Sequence, residues 1–277
     1  MVLGGYSIMR LLKFSEMARI IARADIVMEI VEARNPLGLK SRVVESLTRK
    51  YGRDYILVLN KCDLVPPAVC RDWINYFRHE HEITALCVST VKYIGVVKLR
   101  KMFLEKQKEK KGILNVAVFG LPKVGKSSLI NALKNKDSAS TSPYPGSSGY
   151  TKGITIYKIL PGIYVIDTPG YIPFDVKGLE TAIRSQPVES IDNPVAVALD
   201  ILKMIMKFNA RAVEEAYNID AKDPLDVLRL LALKRGWLYK KDKEPNIDEA
   251  ARTIIRDYLN GKLKFYTLPP TVQGLNS

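Results

Sequence analysis

Residues 120–127 have the types and spacing of a phosphate-binding loop. They read Gly-Leu-Pro-Lys-Val-Gly-Lys-Ser and fit G-x-x-x-x-G-K-[ST], with an apolar run before them and a helical pattern after them. Glycines let backbone N–H groups wrap phosphate oxygens, and the start of the helix adds a favourable partial charge. We predict that Lys126 reaches the β- and γ-phosphates of a nucleotide and that Ser127 holds Mg²⁺. The other predicted contacts of this loop are Leu121, Pro122, Lys123, Val124, Gly125 and Ser128.

A second motif, Asp-Thr-Pro-Gly at residues 167–170, ends a later apolar run. Asp167 is predicted to hold the metal through water, and the Gly170 amide to meet the γ-phosphate. The candidates for the hydroxyl of a mobile switch loop are Thr151, Thr155 and Ser148. We favour Thr151, which lies between glycines, because Thr155 fits the strand that follows. The predicted metal ligands are Ser127, Thr151 and Asp167, and the predicted catalytic groups are Lys126, Thr151 and Gly170.

The stretch Asn-Lys-Cys-Asp at residues 60–63 predicts recognition of a base. The Asp63 carboxylate can accept two hydrogen bonds from guanine N1–H and N2–H₂, a donor pair that adenine lacks. Against adenine the carboxylate would stay unpaired, which makes the discrimination large. We expect Lys61 to lay its stem over the ring and Asn60 to tie the loop together. Ser89 and Thr90 fit a companion loop whose backbone faces guanine O6.

The order of the motifs is unusual. The base-reading motif precedes the phosphate loop, whereas in an ordinary small GTPase it comes last. One sheet can still form if the usual termini are joined and new ones are opened elsewhere. We predict that the basic segment 98–112 is the join. The chain after Gly170 would then run straight into the C-terminal region, so that loss of the γ-phosphate could move that region as a lever.

The elements that must position these motifs alternate along the chain. Apolar runs predict strands at 25–33, 54–60, 84–90 and 113–120, and two more within 154–170; helical patterns cover 15–24, 41–52, 68–81 and 126–136. Residues 34–38 read as a loop. This alternation predicts an α/β fold, a mostly parallel doubly wound sheet of the P-loop NTPase type in circularly permuted order.

After residue 175 the pattern becomes helical. Helix starts are predicted at Asn193, Asp223 and Asp248, with Gly236 and Gly261 following helix ends. We therefore expect a permuted GTPase domain at 1–175, made of a base-recognition half (1–97), a basic linker (98–112) and a phosphate-binding half (113–175). A small all-α domain, with a predicted role in RNA binding, fills 176–277.

The net charge of +14 indicates a polyanionic partner, either nucleic acid or an anionic membrane surface. A generally basic proteome is the alternative explanation. The richest apolar run, Ile20–Val31, is interrupted by charged residues and is too short to span a bilayer. We expect a soluble, cytoplasmic monomer that does not bind a membrane. The three cysteines have no metal-site or disulfide spacing and are expected to be reduced thiols.

With these motifs the chain resembles the YlqF/YawG-type circularly permuted GTPases over nearly its whole length. The family's D-A-R-x-P is matched at residues 32–36, with Glu32 in place of Asp. Its R-G-x-L and its helix-G-K-L tail are matched at 235–238 and 248–263. The resemblance implies that the chain binds GTP and GDP with Mg²⁺, and that it assists assembly of the large ribosomal subunit by binding ribosomal RNA in the GTP state.

Two residues depart from related patterns. Tyr171 stands where Ras-like enzymes have a Gln that orients water, so we expect intrinsic hydrolysis no faster than roughly 10⁻³ s⁻¹. Lys123 stands where many relatives carry an Asn that helps to hold K⁺ beside the phosphates. Either the Lys123 ammonium supplies that charge and reduces the need for K⁺, or the side chain points to solvent.

Several functions fit these residues. We favour a GTPase that ribosomal RNA or the large subunit activates. The alternatives are a regulatory switch for another RNA or protein, and a nucleotide-gated binding module with negligible turnover. A P-loop kinase that uses ATP is disfavoured by Asp63.

Overall fold

The computed structural model describes residues 13–134, 154–168 and 175–270. The chain divides into two compact units. The first unit ends at Val176 and also includes the chain from Pro269 onwards. The second unit spans Lys177–Leu268.

A single six-stranded sheet organises the first unit, in the order β3-β2-β1-β4-β6-β5. Five strands run parallel, and the edge strand β5 is antiparallel to β6. All seven residues of β1 are buried, as expected for a central strand covered on both faces. The predicted fold class is confirmed. The strands are β1 Ile26–Glu32, β2 Asp54–Asn60, β3 Thr84–Cys87, β4 Leu114–Phe119, β5 Thr155–Leu160 and β6 Ile163–Asp167.

The helices of this unit fall close to the predicted segments. They are α1 Phe14–Arg23, α2 Pro36–Leu39, α3 Arg42–Lys50, α4 Pro67–His81, α5 Val96–Lys110 and α6 Lys126–Leu133. Ser41 caps α3, since its Oγ accepts a hydrogen bond from the Val44 amide at 3.1 Å. The prediction of a loop at 34–38 is wrong in part. Pro36 begins the short helix α2, where its fixed φ suits the first helical position.

The predicted join at 98–112 is a packed helix over most of its length. Helix α5 buries Val96, Leu99 and Phe103 and contacts β4, β6 and α6. The permuted connection is therefore built into the layer that covers the sheet.

Several cations of this segment stabilise the fold. Arg100 donates to the Leu133 carbonyl at 3.1 Å and to two neighbouring carbonyls at the end of α6. Lys106 pairs with Asp54 at 2.7 Å, and Lys110 pairs with Asp25 at 2.6 Å. Part of the basic character of 98–112 is thus accounted for by contacts within the unit.

The second unit is helical, with α7 Leu179–Arg184, α8 Pro194–Phe208, α9 Ala212–Tyr217, α10 Pro224–Lys234 and α11 Ile247–Asn260. The predicted starts at Asn193 and Asp223 are confirmed, because each side chain accepts hydrogen bonds from the first turn of its helix. The start predicted at Asp248 is wrong. Asn246 caps α11 by accepting from the Glu249 amide at 3.1 Å, and Asp248 lies in the first turn.

Candidate nucleotide-binding site

The predicted motifs meet at one edge of the sheet. Asn60 ends β2, Gly120 follows β4 and Asp167 ends β6. These strands are parallel, so their carboxyl ends share an edge, which is where open α/β sheets bind ligands. Only β1 separates the base-reading motif from the phosphate loop.

A direct hydrogen bond joins the two motifs. Asn60 Nδ2 donates to the Val124 carbonyl at 2.8 Å, across 64 residues of sequence, and Asn60 is only 1% exposed. Gly125 faces the same amide with φ +97°, and a Cβ there would lie 2.3 Å from Asn60 Nδ2. The close approach therefore requires glycine at this position.

The phosphate loop surrounds a cavity of about 290 Å³, lined by Pro122, Lys123, Gly125, Lys126, Ser127, Ser128 and Asp167. Leu121 and Val124 are fully buried, so their side chains are not available to a ligand. Lys123 is exposed and has φ +63°, and it lies in the wall of the cavity. Both interpretations of Lys123 remain predictions.

An ammonium and a carboxylate face this cavity from buried positions. Lys126 Nζ donates to the carbonyls of Gly120 at 2.8 Å and Leu121 at 3.0 Å. Burial lowers the pKa of Lys126 to about 8, although the Asp167 carboxylate opposes the shift. Burial also raises the pKa of Asp167, against the effect of Lys126. Phosphate groups bound here would favour the charged form of Lys126.

We therefore expect affinity for GTP to fall as the pH rises above about 8. Bound phosphates raise the pKa of Lys126, so binding takes up a proton once the free side chain is neutral. Affinity is then full below about pH 8 and decreases by up to about tenfold per pH unit above it. Calorimetric titration from about pH 7 to about pH 9 measures this.

The control for this experiment is Lys126→Arg, whose guanidinium stays charged throughout the range. Whatever affinity that variant retains should not depend on pH. Wild-type affinity that stays constant to about pH 9 would contradict the coupling to Lys126.

The described metal ligands suit Mg²⁺. Ser127 presents an exposed hydroxyl at the start of α6, and Asp167 contributes a carboxylate to the same cavity. Asp167 Oδ1 is buried and accepts no hydrogen bond from any residue that the structure describes. Burying a carboxylate oxygen without a hydrogen bond costs free energy of folding. Carboxylate oxygens are also hard ligands, of the kind that hold hydrated Mg²⁺.

Four residues of interest lie outside the described part of the chain, namely Ser148, Thr151, Gly170 and Tyr171. Their predicted roles remain predictions. Thr155, the alternative to Thr151, is the first residue of β5, as the sequence suggested.

The base-reading motif contains an unusual backbone conformation. Lys61 has φ 57° and ψ 37°, in the left-handed region that residues other than glycine rarely adopt. Asp63 follows in a short 3₁₀ turn and is exposed. The Cys62 amide donates to the Val88 carbonyl at 3.1 Å, which brings the loop of Ser89 beside the motif.

The companion loop is ordered by its own side chain. Ser89 is buried, and its Oγ accepts from the Lys92 amide at 3.0 Å, while Thr90 is half-buried. The Ser89 hydroxyl is therefore engaged within the loop, and the contact of the loop backbone with guanine O6 remains a prediction.

The structure adds an acidic residue to the site. Glu32, at the end of β1, accepts from Lys61 Nζ at 2.9 Å and also pairs with Arg34. The motif match at residues 32–36 contained these residues but assigned them no role. An acidic residue at the end of a mostly apolar strand is the signal that could have revealed it.

A second residue that sequence reasoning missed is Asp175. Its carboxylate accepts from Ser41 Oγ at 2.8 Å and from the Val43 amide at 3.1 Å, at the start of α3. The chain beyond Gly170 is thus anchored to the base-recognition half of the unit. No local pattern predicts a contact across more than 130 residues.

Comparison with known proteins agrees with this geometry. Residues 115–231 match a protein-family model described as "50S ribosome-binding GTPase". The GDP-bound structure of TM YlqF superposes with a TM-score of 0.65 at 21% identity, over 92% of this chain and 99% of that one. The chain therefore shares the fold of TM YlqF over nearly its whole length. The predicted resemblance is confirmed.

Curated relatives match almost all of this chain in sequence. Nucleolar GTP-binding protein 2 of Saccharomyces cerevisiae is 30% identical over 94% of this chain, which spans 54% of that protein. An uncharacterized GTP-binding protein of Methanocaldococcus jannaschii is 32% identical over 90% of this chain, which spans 65% of it. The chain therefore spans about half to two thirds of the length of these relatives.

Proposed function

We propose that the protein binds and slowly hydrolyses GTP and acts as a nucleotide-dependent assembly factor that binds ribosomal RNA of the large subunit. The observation that carries the nucleotide part is the hydrogen bond between Asn60 and Val124, which joins the guanine-reading motif to the phosphate loop. The ribosomal part is supported by the description of the matching family and by the nucleolar relative.

In this proposal each group of the site has one task. Asp63 accepts from guanine, and the amides of the phosphate loop and the Lys126 ammonium bind the phosphates. Lys126 stabilises the charge that develops on the phosphoryl oxygens during transfer. Ser127, Thr151 and Asp167 would hold Mg²⁺, which supplies further charge neutralisation when bound. Because Tyr171 cannot orient water as Gln does, hydrolysis stays slow until an activator contributes.

Ribosomal RNA is the proposed activator, and charge supports this choice. The chain carries a net charge of +14, and α5 presents Lys98 and Lys108 to solvent, with Lys111 directly after it. None of these three forms an ion pair with another described residue, in contrast to Lys106 and Lys110. Unpaired surface cations are available to neutralise phosphates and release counterions.

The experiment is single-turnover GTP hydrolysis by the purified protein, alone and with purified large or small ribosomal subunits, at low and high salt. Stimulation by large subunits that disappears at high salt is the expected result. The triple change of Lys98, Lys108 and Lys111 to Gln should weaken stimulation and reduce its dependence on salt. Equal stimulation by small subunits would overturn the large-subunit assignment.

A second candidate is a GTP-gated switch for another RNA or protein, with negligible turnover. Tyr171 in place of Gln favours it. The same assay separates the two functions, because a gated switch would bind GTP tightly yet show no stimulation by either subunit. A monomeric state and a cytoplasmic location remain predictions. In the part of the chain that the structure describes, no helix is long and apolar enough to cross a membrane.

A further inference from the structure

Glu32 occupies the strand end between the two halves of the site. It is paired in register with Asn60 on β2, and the neighbouring Ala33 amide donates to the Asn60 carbonyl at 2.8 Å. On its other side β1 adjoins β4, which leads into the phosphate loop. Glu32 therefore lies between the strand that leads into the base-reading motif and the strand that leads into the phosphate loop.

The carboxylate of Glu32 is buried and doubly paired. Glu32 and Arg34 are each 1% exposed, and Arg34 binds Glu32 Oε1 through its guanidinium. The second oxygen, Oε2, accepts from Lys61 Nζ at 2.9 Å, where the lysine side chain is 25% exposed. Two cations around one carboxylate leave a net positive charge, so the pair with Arg34 stays balanced if Lys61 is removed.

The ion pair with Glu32 acts on a lysine, Lys61, whose backbone is already constrained. Lys61 holds a left-handed conformation, which is strained for a residue with a Cβ. That backbone sets the direction in which the side chain leaves, and Glu32 fixes the position of its far end. Both ends of the aliphatic stem are therefore fixed in position.

We propose that Glu32 is a positioning residue for guanine binding, which holds the Lys61 ammonium so that the lysine stem forms the surface on which the base lies. Arg34 pairs with the other carboxylate oxygen, Oε1, and so balances its charge in a buried place. The inference rests on the proposed guanine-nucleotide site and adds to it a residue that acts through Lys61. Without the ion pair to Glu32, the Lys61 side chain must lose its conformational freedom each time guanine binds.

The test is a double-mutant cycle on GDP affinity with Glu32→Gln and Lys61→Met, where Met keeps an unbranched stem and removes the charge. Because Lys61 must then be immobilised on each binding event, Glu32→Gln is expected to weaken GDP binding by up to about tenfold in the wild-type background. In the Lys61→Met background the same change should alter affinity less than about twofold, because no ammonium remains to be held. Equal loss in both backgrounds would overturn the positioning role and leave a structural one.

Two further variants keep the test decisive. If Glu32→Gln alone fails to fold, because it leaves Arg34 charged and buried, Glu32→Gln with Arg34→Met removes both charges and should show the same coupling to Lys61. Glu45→Gln is the matched control, since Glu45 pairs with Lys40 away from the site, and it should leave GDP affinity unchanged. Wild-type protein that binds no GDP overturns the proposed function as well, whereas tight binding without coupling overturns this inference alone.

Discussion

The Asp63→Asn variant is expected to lose guanine nucleotides and to gain xanthine nucleotides. The carboxylate accepts from guanine N1–H and N2–H₂, and Asn replaces one acceptor oxygen with an N–H donor that opposes the guanine amino group. Two charge-assisted hydrogen bonds are affected, so GDP affinity should fall by on the order of 10³-fold. Xanthine carries a carbonyl where guanine carries that amino group, and the Asn donor can pair with it.

Affinity titrations with GDP and XDP measure this exchange. Asp63 is exposed in the structure, so the substitution should leave the unfolding temperature nearly unchanged and report on recognition alone. Asp72→Asn, on α4, serves as the matched control and should retain GDP binding. A variant at Asp63 that still prefers GDP to XDP would show that another group reads the base.

Gly125→Ala is expected to reduce nucleotide affinity by at least about 100-fold, since both strain and a steric clash act on the phosphate loop. The added Cβ would lie 2.3 Å from Asn60 Nδ2, and the residue has φ +97°. Relief requires either the Asn60 side chain or the phosphate loop to move, and either movement breaks the hydrogen bond to Val124.

The control for this variant is Gly52→Ala. Gly52 also has a positive φ, +59°, but a Cβ there would meet no atom within 4 Å. It should therefore lower the free energy of unfolding by about 1 kcal/mol and leave nucleotide affinity unchanged. Equal affinity losses in both variants, measured by titration with GDP, would attribute the effect to general destabilisation and contradict the account of the loop.

Most of the sheet could be predicted because its strands are apolar runs that follow a fixed alternation with helices. Glu29 shows where this reasoning reaches its limit. It lies fully buried in the middle of β1, where burial raises its pKa to about 7 and hydrogen bonds from the Ser41 amide and the Tyr55 hydroxyl stabilise the charged form. Both donors come from other segments, so the strand alone does not indicate how the acid is accommodated.

Helix starts were predictable where a capping residue directly precedes a proline, as at Asn193 and Asp223. Asp223 directly precedes a proline at the first helical position, and this pair leaves no choice of register. Before α11, Asn246 and Asp248 are both good caps, and local preference does not distinguish them. The structure selects Asn246, whose amide donates to the Trp237 carbonyl at 2.8 Å and so fixes where the helix begins.

The residue types of the site followed from its motifs, whereas its internal contacts did not. Motifs specify which groups can bind phosphate or guanine, because that chemistry depends on residue type and short spacing. The contacts of Asn60 with Val124, of Glu32 with Lys61 and of Asp175 with Ser41 join distant segments. These contacts depend on which segments are neighbours in the folded sheet, and the order of the segments along a permuted chain does not indicate those neighbours.

The central claim is that two motifs in reversed order form one guanine-nucleotide site. Calorimetric titration of the purified protein with GDP, GTP and ATP in the presence of Mg²⁺ tests it most directly. We expect one site per chain for GDP and GTP, and binding of ATP weaker by on the order of 10³-fold, because Asp63 stays unpaired against adenine. Binding of ATP as tight as that of GTP, or no binding of guanine nucleotides, would contradict the account.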